Sequence, residues 1–475
     1  MRHIVVSVIK YLLLATIFHS FATNALAADW ALSGTVVTPT SVIPNGTVAI
    51  TDATILAVGP SAEIPASATA IKVNGIILPG FVDLHNHLSW NVLPRWIPAH
   101  KFSNRYEWQD TAEYDRVLVT PHNATLDAAA CETEVYAEIK SLVGGATSSI
   151  GSLLPSTQHP DNRKCSAGLV RNLDLWSGLP FSLPDPSKDQ CQRDKAHLQL
   201  LADLVDNEIF PMEVQHDRLD FLRCELAAGV LRGLVIHLAE GAPTDSSAHR
   251  EFNMVNQAGL LMPGLGVVHG TALRPDDFAK MNGAGLVWSP RSNDELYGAT
   301  INVAAAVARN VPIAIAPDWS PSGSAGMLQE IGYAARRYGT FFSADTLIAM
   351  ATATPAKLAR VDSYIGSLAP GLMADLVVIR DNGGPPAQSV VKASPADVML
   401  VVVGGAPIYG DASILRQLLP PGTKLDTLTV CGAQKSINLA GSFAADSGES
   451  VMDIQNKIGA ALGRLGSALP PIECD

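Results

Sequence analysis

The sequence predicts an α/β fold: a (β/α)8 TIM-like barrel joined to a discontinuous small β-sandwich domain and a C-terminal extension. Three observations lead there. First, the runs "GLVIHLAEG", "GLGVVHG", "GAGLVWSP" and "VPIAIAPDW" are too short for helices and do not alternate, as expected of strands buried on both faces of a parallel sheet. Second, helix-patterned segments lie between such runs, at residues 127–142, 198–205, 248–257, 276–280, 301–309 and 344–351. That alternation is the mark of a parallel sheet wrapped by helices. Third, short β-branched runs punctuated by Gly, Asn and Pro flank the alternating region on both sides.

In chain order, residues 1–27 read as a secretory signal peptide. Arg2 precedes an apolar stretch, "ALA" ends it at Ala25–Ala27, and cleavage is expected after Ala27, exporting the protein to the periplasm or beyond. The alternative, a membrane anchor, meets an uninterrupted apolar stretch of only residues 11–18, too short to span a bilayer. "ALSGTVVTP", "GTVAITDATILAVG" and "AIKVNGIILPG" then form strands of the small domain over residues 28–78. The barrel follows over 79–365, and "SLAPGLMADLVVI" and "DVMLVVVGGAPIYG" complete the small sheet over 366–410. Residues 411–475 form the extension, with a helix expected at 451–465.

Hydrophobic residues make up 47% and charged residues 16% of the chain, enough to bury a large core. A net charge of −12 without any basic cluster argues against nucleic acid or anionic lipid as the main partner. The expected partner is a small molecule, and a homo-oligomer is compatible with the composition. The six cysteines of an exported chain admit disulfides, and six permit fifteen complete pairings. Turn-rich surroundings favour Cys165 with Cys191 and Cys431 with Cys474, whereas Cys131 and Cys224 fall in helical patterns and read equally well as buried thiols.

Polar residues that do chemistry on a barrel belong at the C-terminal ends of its strands. His85 and His87 follow "GFVDL", His237 follows "GLVI", His269 follows "GLGVV" and Asp318 follows "IAIAP". Singly, each reads as a hydrogen-bonded structural residue or a turn cap. In the His-x-His pair, residues i and i+2 point to one side of an extended segment and two imidazoles can share one ion. The recurrence of such positions at one barrel face favours a metal site. Glu240 lies three residues beyond His237, placed either to move protons beside the ion or to be solvated in a loop.

The ordered set "PGFVDLHNH", "HLAEG", "VVHG", "WSPRSN" and "APDWSPSGS" resembles the amidohydrolase superfamily. The branch it is most similar to holds the cytosine, guanine and S-adenosylhomocysteine deaminases and the triazine hydrolases. "GSLAPGLMADLVVI" resembles that family's return to its small β-domain, and the likeness spans residues 31–410. The resemblance implies that His85, His87, His237 and Asp318 bind one divalent metal, Zn²⁺ foremost with Fe²⁺ or Mn²⁺ compatible. It implies that His269 orients the reacting water, that Asp318 also accepts its proton, and that Glu240 exchanges protons with a substrate nitrogen. Ser292 and Asn293 become supports of these residues, and Ser289 stands where many relatives carry Cys. Two-metal members use a bridging lysine or glutamate from the fourth barrel strand. With "GLVRNLDL" taken as that strand, no lysine is present, which favours a single metal.

After His87, "WNVLPRWIPAHKFSNRYEW" holds three of the seven tryptophans. Trp90 and Trp108 are candidates to stack on a flat ring and Arg105 to meet an acidic substituent, although the segment reads equally as a hydrophobic lid. The resemblance implies a hydrolase of non-peptide C–N bonds, foremost a heterocycle deaminase. The alternatives are a cyclic amide or C–Cl hydrolase on the same site and, in a different class, an exported barrel that binds ligand without turnover.

Overall fold

The computed structural model describes residues 30–38, 41–60, 68–153, 165, 168–182, 191, 204–208, 216–472 and 474. The expected signal peptide lies outside these residues.

The chain opens with β1 (Trp30–Val37), β2 (Val42–Thr51), β3 (Thr54–Gly59) and β4 (Thr69–Pro79). It ends with β13 (Leu376–Arg380), β14 (Val398–Val403), β15 (Ala406–Gly410), β16 (Asp426–Val430) and β17 (Ala433–Ile437). These nine make one sheet in the order β16-β17-β15-β14-β13-β4-β1-β2-β3, so strands from both ends of the sequence share it through the β4–β13 pair. Strand periodicity explains how the sheet serves two cores. Ile77, Leu376, Val378, Leu400 and Val402 face a core of the sheet's own, capped by the helix Ala412–Leu418. Ile76, Leu78, Val377, Ile379 and Val401 pack against the main core on the other side. The hairpin β16–β17, from the segment expected to be a separate extension, continues this sheet through β15.

Between the two groups lie, among the described residues, eight short strands: β5 (Phe81–Asp83), β6 (Ala146–Ser149), β7 (Arg171–Asn172), β8 (Val205–Glu208), β9 (Gly233–Leu238), β10 (Leu265–His269), β11 (Gly285–Trp288) and β12 (Ile313–Ile315). They form parallel sheets of three (β5-β6-β7) and five (β12-β11-β10-β9-β8) strands. Backbone bonds join the two sheets at both ends. Val205 donates to the Leu173 carbonyl at 3.1 Å, while Asp318 donates to His85 and His87 to Asp318 at 3.1 and 3.0 Å. One buried cluster gathers Val82, Val205, Val235, Val268, Val287 and Ala314 with Ile150 and Leu173, drawing on or just beyond every one of the eight strands.

Helices fill the connections, including Thr120–Val143, Ser246–Gln257, Met327–Tyr338 and Ala344–Ala351. The last begins where sequence places it because the Ser343 side chain accepts from the Thr346 backbone N–H and caps it. Two expectations change. The fourth of the eight strands is β8, not "GLVRNLDL", which supplies the third, β7, so the absence of lysine from that run no longer bears on the number of metals. Val205, expected to end a helix, begins β8; that helix otherwise lies outside the described residues. Its polar sequence "VDNE" lacks the apolar run by which the other strands are recognised.

The cysteines pair as Cys131–Cys165, Cys191–Cys224 and Cys431–Cys474. The third pair matches expectation, but Cys165 bonds Cys131 instead of Cys191. Helical surroundings do not exclude a bridge: Cys131 and Cys224 sit on helix surfaces and reach the connecting segments beside them. Each bridge closes a loop of 33 to 43 residues. By loop entropy, removing one costs about 3–4 kcal/mol. A paired Cys131→Ser, Cys165→Ser variant should therefore melt several degrees lower, and non-reducing peptide mapping should recover these three linkages.

Candidate active site

His85 and His87 follow β5, His237 lies near the end of β9, His269 ends β10 and Asp318 follows β12. The structure brings all five together. His85 Nε2 lies 3.1 Å from His237 Nε2 and 3.2 Å from Asp318 Oδ1, while His87 Nε2 lies 3.4 Å from the same carboxylate oxygen. Ligand atoms of His85, His237 and His269 fall within 4.8 Å of one another, as do those of His85, His87 and Asp318. The backbone is bent to achieve this. His269 and Asp318 adopt left-handed conformations, φ 62° and 69°, and so does Ala239 at 53°, just before Glu240. Such backbone costs on the order of 1–3 kcal/mol per residue and persists only where the surroundings impose it. At His269 it breaks the alternation of β10, in which Val267 faces the helices and Val268 the interior.

Three of these side chains are held from behind. Ser289 Oγ lies 2.8 Å from His85 Nδ1, and Ser292 Oγ donates to Asp318 Oδ2 at 2.6 Å. Asn293 Nδ2 donates to Thr300, which turns Oδ1 toward His269 Nδ1 at 2.8 Å. That oxygen only accepts, so Nδ1 carries the proton and Nε2 faces the centre with its lone pair. Asn86, between the paired histidines, donates to Asp83 Oδ2, while Asp83 Oδ1 accepts from the His85 backbone. It is therefore a strut for the bend. Burial lowers His85 to about 3 and His87 to about 4, so both are neutral near pH 7 and offer lone pairs. Two imidazole nitrogens facing each other at 3.1 Å, with a carboxylate beside them, are mutually repulsive unless a proton or cation lies between them. Three imidazoles and a carboxylate are the donor set of a divalent transition metal.

Glu240 faces this centre from one side, its Oε1 3.7 Å from His269 Nε2. Tyr297 donates to Oε1 at 2.6 Å, and the Arg105 guanidinium stands 3.6 Å from Oε2. Burial pushes the carboxyl up, but His269, Arg105 and Tyr297 more than offset this and hold it below the ordinary glutamate value. Burial lowers His269 as well, so the permanent cation beside Glu240 is Arg105. Arg105, expected from its sequence context to meet an acidic substituent, lines the cavity beside the centre. It is 1% exposed and paired with Glu251 at 2.8 Å as well as with Glu240.

A cavity of about 210 Å³ opens onto the centre, walled by Trp90, Trp108, Tyr114 and Trp319 with His87 and Glu240 at its base. Trp90 stacks on His122 with ring centroids 3.8 Å apart. Trp108 also donates its indole N–H to Tyr297. Sequence reasoning misses Tyr297, Glu251 and Trp319. Tyr297 offers one signal: it lies four residues after Asn293 on the helix Pro290–Tyr297, hence on the same face.

The amidohydrolase family model matches residues 227–408, the stretch that carries His237, Glu240, His269 and Asp318. That match covers well under half of the chain, and the likeness to the amidohydrolase family is strongest over this stretch. Among curated relatives, it is 26% identical over 421 residues to a 5-methylthioadenosine/S-adenosylhomocysteine deaminase of Nitratidesulfovibrio vulgaris, covering 79% of this chain and 90% of the relative. Its fold is similar to that of a zinc-bound adenosine deaminase from Xanthomonas campestris, with TM-score 0.60, 20% identity, and 80% and 92% of the two chains covered. It is also similar to that of a guanine deaminase from Bradyrhizobium japonicum, with TM-score 0.59, 17% identity, and 81% and 100% covered.

Proposed function

We propose that this protein is a metal-dependent hydrolase of non-peptide C–N bonds, a deaminase of a small heterocycle. The observation that carries the reading is the placement of the Glu240 carboxyl beside a convergent set of three imidazoles and Asp318 in an aromatic cavity. The match of residues 227–408 to the amidohydrolase family model and the deaminase names of the similar proteins support it. We read β5 to β12 as one closed barrel, supported by the Asp318–His85 and Val205–Leu173 backbone bonds and by the interior cluster drawn from all eight strands. The nine-stranded sheet, curled on its own core, corresponds to the small sandwich domain.

His85, His87, His237 and Asp318 would hold one divalent ion, zinc by donor chemistry. When bound, such an ion supplies a water whose pKa is lowered toward ~7. Glu240 takes a proton from the attacking water and delivers it to the nitrogen that leaves, while Asp318 accepts the oxygen's remaining proton as the oxo product forms and passes it to the ring nitrogen. His269, its Nδ1 satisfied by Asn293, presents Nε2 to the reacting oxygen. Asp318 keeps Oδ1 toward the imidazoles because Ser292 occupies Oδ2. The tryptophan walls exclude water and stack on a flat ring. The expected products are ammonia and the corresponding oxo-heterocycle. A ligand-binding barrel without turnover would have no use for a carboxylate held ionised at this place. The three disulfides suit an oxidising compartment and support export.

The test is ammonia release from adenosine, guanine, cytosine, a pterin and melamine by zinc-loaded protein. Dihydrouracil and a chlorotriazine, followed by loss of absorbance and chloride release, probe the cyclic-amide and C–Cl alternatives. Activity confined to those two compounds would refute deamination. Trp90→Ala should raise KM about 3- to 10-fold on the best substrate, the worth of one aromatic contact, with kcat little changed. An unchanged KM would remove Trp90 from the substrate's surface.

A further inference from the structure

The two oxygens of Glu240 are held by groups outside the proposed set of metal ligands. Tyr297 donates to Oε1 at 2.6 Å, a short bond to an ionised acceptor of the strong, charge-assisted kind. Tyr297 is itself held by the Trp108 indole N–H at 2.9 Å. At Oε2 stands Arg105, 3.6 Å away. Its guanidinium also pairs with Glu251 at 2.8 Å and reaches the His237 carbonyl at 3.3 Å. Glu251 in turn accepts from the Ala239 backbone N–H at 2.8 Å and from the Tyr106 hydroxyl at 2.8 Å. Arg105, Tyr106 and Trp108 all belong to the five-residue helix Arg105–Gln109, whose start is pinned where the Asn104 side chain accepts from Glu107 N–H. Asn104 also bridges to Gly241, the residue after Glu240.

We infer that Tyr297 and Arg105 are positioning residues for Glu240, and that the helix Arg105–Gln109 is the element that sets its geometry. The inference rests on the reading of Glu240 as the proton carrier. A carboxylate side chain near a reacting centre has rotamers to choose among, and misplacement of about 1 Å costs on the order of 10²-fold in rate. Tyr297 takes one lone pair of Oε1 and leaves the other directed past His269 to the centre. Arg105 removes the freedom of Oε2 and supplies the charge that keeps the pair of oxygens ionised before the first proton arrives. The helix thus serves both partners of the reaction, because Trp108 presents its ring to the cavity and its N–H to Tyr297. Substrate and proton carrier are registered against one short helix.

The measurement is steady-state kinetics of Tyr297→Phe on the best substrate among those named for ammonia release, alongside metal content and thermal melting. The expected result is a kcat about 10- to 100-fold lower, KM within about twofold of the parent, and undiminished metal. On a Glu240→Gln background, Tyr297→Phe should cause no further loss, because the group it positions is already gone. Trp108→Phe keeps an aromatic face but removes the N–H behind Tyr297, and should lower kcat several-fold even if Tyr297→Phe does not fold. A parental kcat in Tyr297→Phe, or a loss that adds in full to that of Glu240→Gln, overturns the inference while leaving the function intact. A fully active Glu240→Gln overturns the proton-carrier reading and this inference with it.

Discussion

Glu240→Gln should retain its metal and its fold and lose about 10²- to 10⁴-fold in kcat, the usual worth of a positioned general acid–base. The substitution keeps the shape and leaves an amide whose oxygen can still accept from Tyr297. It removes the group that both takes a proton from the attacking water and returns it to nitrogen. The loss should fall on kcat, since the cavity walls formed by Trp90, Trp108, Tyr114 and Trp319 are untouched. It should also depend on the leaving group. A substrate whose departing nitrogen is already positively charged needs no proton from Glu240 and should suffer least. Metal analysis by atomic absorption and kinetics on two substrates of different leaving-group basicity check this. A variant that has lost its metal, or one as fast as the parent on a poor leaving group, would contradict the assignment.

The strand ends are legible because a parallel strand buried on both faces leaves an apolar run that stops where polar loop residues begin. His237 after "GLVI" and His269 after "GLGVV" are visible for that reason. The same rule fails at β8, whose "VDNE" is polar, and so "GLVRNLDL" reads as the fourth strand when it supplies the third. What surrounds the site is less legible. Arg105 looks from sequence like a cation facing a ligand, and sequence gives no hint that it also pairs with Glu240 and Glu251, more than a hundred residues away. Ser289, Ser292 and Asn293 can be named as supports because they cluster in one motif. Tyr297 cannot be named so easily, because its hydroxyl partner Glu240 lies 57 residues distant on a different element. Local pattern reveals where side chains emerge; hydrogen bonds between distant elements decide what they do. The cysteines show the same limit, since pairing follows spatial neighbours and both members of the Cys191–Cys224 bridge look unrelated along the chain.

His237→Ala should abolish metal binding together with activity, and its effect should be mirrored by chelation of the parent protein. His237 Nε2 faces His85 Nε2 at 3.1 Å, so it supplies one of the four converging donors, and its neighbours His85 and Asp318 cannot move to replace it. Both are tied from behind, His85 by Ser289 and Asp318 by Ser292, and Asp318 is further fixed by the parallel bridge to Asn86. Binding of an ion to the native state alone stabilises it by about 2.7 kcal/mol when the free ion stands at about 100 times its Kd. The parent should therefore melt higher with zinc than after chelation, whereas His237→Ala should show the same melting temperature in both conditions. Removing the buried imidazole also leaves a cavity that lowers the variant's melting temperature in both conditions, so the readout is the shift that zinc produces in each form. The outcome separates two pictures of the centre. If the imidazoles were a hydrogen-bonded structural cluster, zinc would shift neither form. If they are a metal centre, zinc should shift the parent alone, and readdition of zinc should restore activity to the chelated parent and leave the variant inactive.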